Sequence, residues 1–232
     1  MHDYDDQNRD HHEPDHHEPD HHERHHDESH ALVPLEESSG LVVEQMVEWH
    51  ESFSSFETEN RYLVHDEHGD TAFIAEEEPS GILSMITRNI MNTSRPFTMH
   101  IFSPTGEPVA VLRRPFRFYF HQLNVYDSDG GFVGTVRKRW SLLRRKYVLL
   151  DPDGKDVFEI VGPFFRPWTF DIFEDGEQVA QIRKSWSGFG RELLTDADTF
   201  GVEYETELAV HAKLMLLATV FLIDFVHFEN RN

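Results

Sequence analysis

LAVHAKLMLLATVFLIDFVHFE, residues 208–229, is the stretch on which the fold turns. Its composition favours a helix, and from Leu214 to Ile223 it is apolar almost all the way round. A helix that is hydrophobic on every face has to be buried, in protein or in lipid. Asp224 ends the apolar run after ten residues, whereas about 20 are needed to cross a hydrocarbon core of ~30 Å. The stretch therefore reads as a core helix, with Leu214, Leu217 and Phe221 in the packed interior. The rest of the chain has to supply what encloses it.

Upstream, from about residue 60, short runs of alternating polarity are separated by tight turns. These are HDEHGD around Gly69, SPTGE around Gly106, DSDGG around Gly130, DPDGK around Gly154 and EDGE around Gly176. Glycine takes the positive φ that such turns require, and the flanking runs carry the β-branched and aromatic residues that suit a half-buried pleated surface. In WTFDIFEDG (168–176), Phe170 and Ile172 fall on one face and Thr169 and Asp171 on the other. Five hairpins are predicted, and two are related by sequence: DGGFVGTVRKRWS (129–141) and DGEQVAQIRKSWS (175–187) share seven of thirteen positions at an offset of 46 residues. Duplicated β-units at that spacing predict a mainly β domain, a barrel or a sandwich, rather than a βαβ series.

The N-terminal part differs in kind. Residues 1–40 hold 13 of the 43 acidic residues, 10 of the 17 histidines and only 2 of the 21 basic residues. The run HHEPDHHEPDHHERHH has no apolar periodicity and cannot bury enough surface to offset the entropy of ordering it. Residues 1–40 are therefore expected to be a disordered acidic, His-rich tail that the domain, 41–232, can lose without unfolding. The tail's imidazoles and carboxylates would take zinc, nickel or copper adventitiously.

Residues 41–232 carry 30 acidic against 19 basic residues, a net of −11 within the formal −22 of the whole chain, so nucleic acid is not an expected partner. The absence of cysteine excludes disulfides, thiolate zinc sites and S-palmitoylation. No apolar signal region precedes the tail, which leads to the expectation of a cytoplasmic protein, peripheral at most to the cytoplasmic face of a membrane.

Taken together, FSSFETENRYLV (53–64), SRPFTMHIFSPTGEPV (94–109), LRRPFRF (112–118), IRKSWSGFGRELLTDADTFGVEY (182–204) and FLIDFVHFE (221–229) resemble the phospholipid scramblase family. Members of that family look like relatives of the tubby C-terminal and LURP-one domains. The resemblance implies a closed antiparallel barrel of about twelve strands around its C-terminal hydrophobic helix. The five hairpins supply ten strands, and stretches around Thr195–Phe200 and Val202–Leu208 are expected to supply two more. The activity implied is calcium-stimulated, ATP-independent movement of phospholipids between leaflets; the alternative is a soluble module that binds a lipid or a protein without transport, as tubby-like domains do. Animal scramblases carry palmitoylated cysteine clusters where this chain has RPFRFYFHQ and GPFFRPWTF, so acyl anchoring does not carry over.

Three candidate sites follow. DADTFGVEYETE resembles the calcium loop proposed for scramblases, with Asp196, Asp198, Gly201 and Glu207 at positions 1, 3, 6 and 12 of an EF-hand-like spacing, although Phe200 and Tyr204 stand where oxygen ligands belong and the alternation from Val202 onward reads as a strand. Weak calcium binding by Asp196, Asp198 and Glu207 is the expectation. Phe116, Phe118, Tyr119, Phe120, Phe164, Phe165 and Trp168 lie at strand ends opposite the glycine turns and suit a membrane-interface rim. Arg137, Lys138, Arg139, Arg144, Arg145, Lys146, Arg183 and Lys184 form a basic stripe suited to anionic headgroups. No Ser-His-Asp, Walker, dinucleotide or zinc-hydrolase motif appears, and the expectation is a lipid-handling protein without covalent catalysis.

Overall fold

The computed structural model describes residues 31–46, 60–78, 96–116, 121–166, 168–184 and 199–227. Among these, twelve strands form a closed antiparallel barrel: β1 (Gly40–Gln45), β2 (Arg61–His65), β3 (Thr71–Glu77), β4 (Phe97–Phe102), β5 (Pro108–Arg114), β6 (Gln122–Asp127), β7 (Phe132–Arg139), β8 (Arg144–Leu150), β9 (Asp156–Pro163), β10 (Thr169–Glu174), β11 (Glu177–Lys184) and β12 (Thr199–Tyr204). Each strand pairs with its sequence neighbours, and β1 pairs with β12 to close the ring, with Leu41 opposite Val202. Residues 31–37 form a short helix, α1, and Val210–His227 forms α2.

The five predicted hairpins are all present. In the turn between β6 and β7, Gly130 takes a φ of 84°, its N–H donates to Asp127 O (3.2 Å), and Asp127 N–H donates to Gly131 O (2.9 Å). The Asp127 carboxylate accepts the Gly131 N–H at 2.6 Å. Local chemistry of this kind sets the turn without help from the rest of the fold. Because every tight turn joins an even strand to the next odd one, all five lie at one end of the barrel, here the hairpin end. The longer connections gather at the other, the loop end.

Helix α2 enters at the hairpin end and fills the lumen. Every residue from Lys213 to Val226 is buried, which a surface helix or a partly lipid-exposed one would not show. Leu214, Leu217 and Phe221 are buried as expected. The polar exceptions are hydrogen-bonded: Thr219 Oγ1 donates to Met215 O (2.9 Å), and Tyr62 Oη donates to Asp224 Oδ2 (2.9 Å). Asp224 is thus held by a buried tyrosine. No helix among the described residues is long and apolar enough to cross a membrane.

Two expectations need correction. The ring is completed by β1 and by the single strand β12, not by two strands within 195–208, because one continuous run, Thr199–Tyr204, bridges β11 and β1. The folded unit also begins before residue 41. Leu35 of α1 is fully buried in the main hydrophobic core, and Lys213 Nζ donates to Glu36 O (2.6 Å) and Ser38 O (2.7 Å). Residues 31–40 thus belong to the packed unit; residues 1–30 lie outside the described residues. Leu35→Ala is expected to cost about 2–5 kcal/mol through the lost burial and the cavity left behind. Denaturant unfolding of the variant reads this directly, and parental stability would show α1 to be peripheral.

Candidate functional site

Three successive connections at the loop end, between β5 and β6, β7 and β8, and β9 and β10, present apolar side chains to solvent. Trp140, Leu142, Leu143, Phe164 and Phe165 are 74–84% exposed, and Phe116 and Trp168 about half as much. Of the predicted rim, Phe116, Phe164, Phe165 and Trp168 fall in this cluster, while Phe118, Tyr119 and Phe120 lie outside the described residues. Trp140, Leu142 and Leu143 are members that sequence reasoning missed. Their signal is WSLL set between two basic triplets, RKR and RRK, which a reading of Trp140 as one position of a repeated hairpin passes over. Large apolar side chains exposed together at one end of a fold suit an interaction surface.

The basic stripe does not form one face. The pleat divides it. Lys138, Arg145 and Lys184 share the parity of the buried Val136, Tyr147 and Ile182 and turn toward the barrel interior. Arg137, Arg139, Arg144, Lys146 and Arg183 take the opposite parity. On that outer wall Arg139 pairs with Asp156 (2.6 Å) and Lys146 with Glu159. Arg166, in the connection that carries Phe164 and Phe165, donates to Asp171 Oδ2 (2.9 Å), and Gln181 Nε2 donates to Asp171 Oδ1 (2.5 Å). This network ties the apolar loop to β10 and β11.

The inward cations continue into an arc around the mouth. Arg114 and His121 are both buried, and Arg114 Nη2 lies 2.7 Å from His121 Nδ1. A guanidinium can only donate, so Nδ1 is the acceptor and the imidazole proton sits on Nε2. His121 stands beside Lys138, whose N–H donates to His121 O (2.8 Å). Lys138 pairs in register with Tyr147, and Arg145 with Gly162. The Arg145 guanidinium lies 4.6 Å from the Phe170 ring centroid. A Cβ on Gly162 would come within 2.7 Å of that ring and 3.3 Å of Arg145 Nε, so the glycine makes room for the stack. Lys184 Nζ sits 5.5 Å from the ring centroids of both Trp168 and Phe200.

Burial, with the neighbouring Arg114 and Lys138 charges, lowers the His121 pKa from 6.5 to about 4. Burial and the charges of Arg145 and Arg114 lower that of Lys138. At neutral pH His121 is therefore uncharged. Between pH 6.5 and about 4 the unfolded chain takes up a proton that folded His121 refuses, so its contribution to stability is fully present above pH 6.5 and lost as pH falls to about 4, on the order of 3 kcal/mol in all. His121→Gln is expected to flatten that part of the stability profile. Unfolding curves of variant and parent that stay parallel through this window would refute the assignment.

Of the three predicted calcium ligands only Glu207 lies within the described residues. Asp196 and Asp198 lie outside the described residues. Residues 199–204 are strand β12 rather than loop, and Glu207 is exposed beyond its hairpin end. A six-residue strand runs roughly 20 Å and so separates Glu207 from whatever precedes Thr199. No cluster of three or more metal-ligating side chains occurs among the described residues. The tail histidines lie outside them.

Comparison with known proteins accords with this architecture. The Scramblase family profile matches residues 21–230. The chain is 32% identical over 209 residues to Phospholipid scramblase 1 of Mus musculus, covering 84% of this chain and 62% of that protein. It is 31% identical over 209 residues to Phospholipid scramblase 2 of Homo sapiens, covering 84% and 69%. Altered inheritance rate of mitochondria protein 25 of Saccharomyces cerevisiae is 26% identical over 232 residues, covering 83% and 71%. The chain thus spans a little under two thirds of the length of the mouse relative. With the profile enclosing α1, all twelve strands and the described part of α2, the chain belongs to the scramblase family.

Proposed function

We propose that this protein is a phospholipid-scramblase-like protein that meets a phospholipid surface with the loop end of its barrel and handles lipid there. The observation that carries this reading is the apolar cluster of Trp140, Leu142, Leu143, Phe164 and Phe165, held in water at one end and flanked by cations. Rings and leucines that enter the headgroup boundary lose their exposure, while flanking arginines and lysines keep their charges wet.

The barrel itself is not the route. Helix α2 occupies the lumen, and a membrane-spanning barrel needs an outward apolar band. The outward positions described here include Arg61, Glu76, Arg113, Arg137, Arg139 and Lys146. Lipid handling in this reading is peripheral and independent of nucleotide. The calcium arm rests on Asp196 and Asp198 without Glu207. The filled lumen favours a second reading, a lipid-binding module without transport.

Vesicles carrying a fluorescent phospholipid in one leaflet test the proposal. Faster loss of asymmetry with the protein, without ATP, is the expected result. Vesicle binding with no change in that rate selects the second reading, and no binding at any lipid composition removes both. Calcium titration of the parent and of an Asp196→Ala/Asp198→Ala variant tests the calcium arm, which fails if calcium leaves the parent's rate unchanged.

A further inference from the structure

We propose that the mouth of the barrel at the loop end holds a phosphate-recognition site built by Arg114, His121, Lys138 and Arg145, taking the phosphate of a lipid headgroup; the headgroup as source rests on reading the loop end as membrane-facing. The residues come from four consecutive strands or their immediate ends: Arg114 closes β5, His121 precedes β6, Lys138 lies in β7 and Arg145 in β8. All four share the pleat parity of buried neighbours, namely Leu112, Leu123, Val136 and Tyr147. Inward-facing side chains at strand ends normally close a barrel with apolar groups. Here three basic side chains and an imidazole N–H donor converge instead.

Charges gathered in this way repel one another, and the folded protein carries that cost. Among the described residues, other acidic groups of this end are engaged on β1 to β3 and α2. Gln45, Asn60 and Glu77 form their own hydrogen-bonded chain on β1 to β3 (2.9 Å at each link), and Asp224 is bonded by Tyr62 of β2, five strands from Lys138. Among the described residues, the charges that perturb Lys138 are those of Arg145 and Arg114, with no carboxylate among them. A dianionic or monoanionic phosphate oxygen set meets this arrangement with charge-assisted donors: the guanidinium forks, the Lys138 ammonium and the Nε2–H of neutral His121. Access is present at Lys138 and Arg145, which are only half-buried. The apolar tips Trp140 to Leu143 connect Lys138's strand to Arg145's, so a lipid whose tails lie among them would present its phosphate at the arc.

The test compares two double variants that remove equal charge from the same end: Lys138→Gln/Arg145→Gln from the inner arc and Arg137→Gln/Arg144→Gln from the outer wall. Partition onto phosphatidylcholine vesicles with and without phosphatidic acid is measured, together with the thermal shift produced by inorganic phosphate in the absence of vesicles. The inner variant is expected to bind the acidic vesicles about 30-fold more weakly, as loss of two charges each contributing about 1 kcal/mol would give, and to lose the phosphate-induced shift. The outer variant should fall by only a few-fold and keep the shift. Removing mutually repelling charges should leave the inner variant at least as stable as the parent, and the single Lys138→Gln serves if the double unfolds.

Equal losses for the two doubles would overturn the site, leaving only net charge. A phosphate shift that depends on Lys138 and Arg145, with vesicle partition unchanged by them, would keep the phosphate chemistry and assign its source to solution. If the parent binds no vesicles, the membrane reading fails, and the phosphate shift alone then decides for or against the site.

Discussion

Phe221→Ala and Leu217→Ala are each expected to lower the unfolding free energy by about 2–5 kcal/mol, with Phe221→Ala toward the upper end. Both side chains are fully buried in the lumen, where surrounding strands bonded on both sides have little freedom to collapse into a vacated volume. Phe221 also packs edge-to-face on Tyr62 with ring centroids 5.1 Å apart, and Tyr62 in turn donates to Asp224. Truncating Phe221 therefore loosens the partner of a buried carboxylate as well as opening a cavity. Against a total of roughly 5–15 kcal/mol for a domain, either change should move the denaturant midpoint far enough to be unmistakable. Removal of residues 208–232 should leave a chain that does not fold, because a twelve-stranded ring without its filling exposes its inner apolar face. Recovery of a folded, soluble barrel after that deletion would overturn the core-helix reading.

Replacing Trp140, Leu142 and Leu143 together by Ser is expected to weaken partition onto vesicles on the order of 10²–10³-fold, taking about 1 kcal/mol for each apolar side chain partly withdrawn from water. The same triple change should alter stability by less than about 1 kcal/mol, since these side chains are 74–79% exposed and bury little in the fold. The two readouts separate a membrane-contacting loop from a structural one. Unchanged partition would remove the rim from the proposed function, and a large loss of stability would show the loop packed within the protein. The effect should also be insensitive to salt, in contrast to the loss caused by removing Lys138 and Arg145, because apolar transfer is not screened and charge attraction is.

The hairpins were legible because their causes are local. Alternation reports which side chains share a face, and a glycine such as Gly130 or Gly154 reports where the chain takes a positive φ. The aromatic rim was partly legible, since Phe116, Phe164, Phe165 and Trp168 stand just past strand ends. The basic stripe was misread as one surface because a run such as RKR alternates between interior and exterior. The role of Leu35 was hidden because its segment is tied down by remote parts of the chain, as the bonds from Lys213 to Glu36 O and Ser38 O, more than 170 residues away, show.

Sequence by itself determined the mainly β character, the five hairpins and the burial of residues 214–223, since each follows from periodicity or composition within one short window. Only the tertiary structure decided that β1 closes the ring against β12, that α1 belongs to the core, and that Arg114, His121, Lys138 and Arg145 meet at one mouth. Those outcomes depend on lateral register around a closed sheet, in which residues far apart in the chain become neighbours through backbone hydrogen bonds that carry no signature of their own side chains.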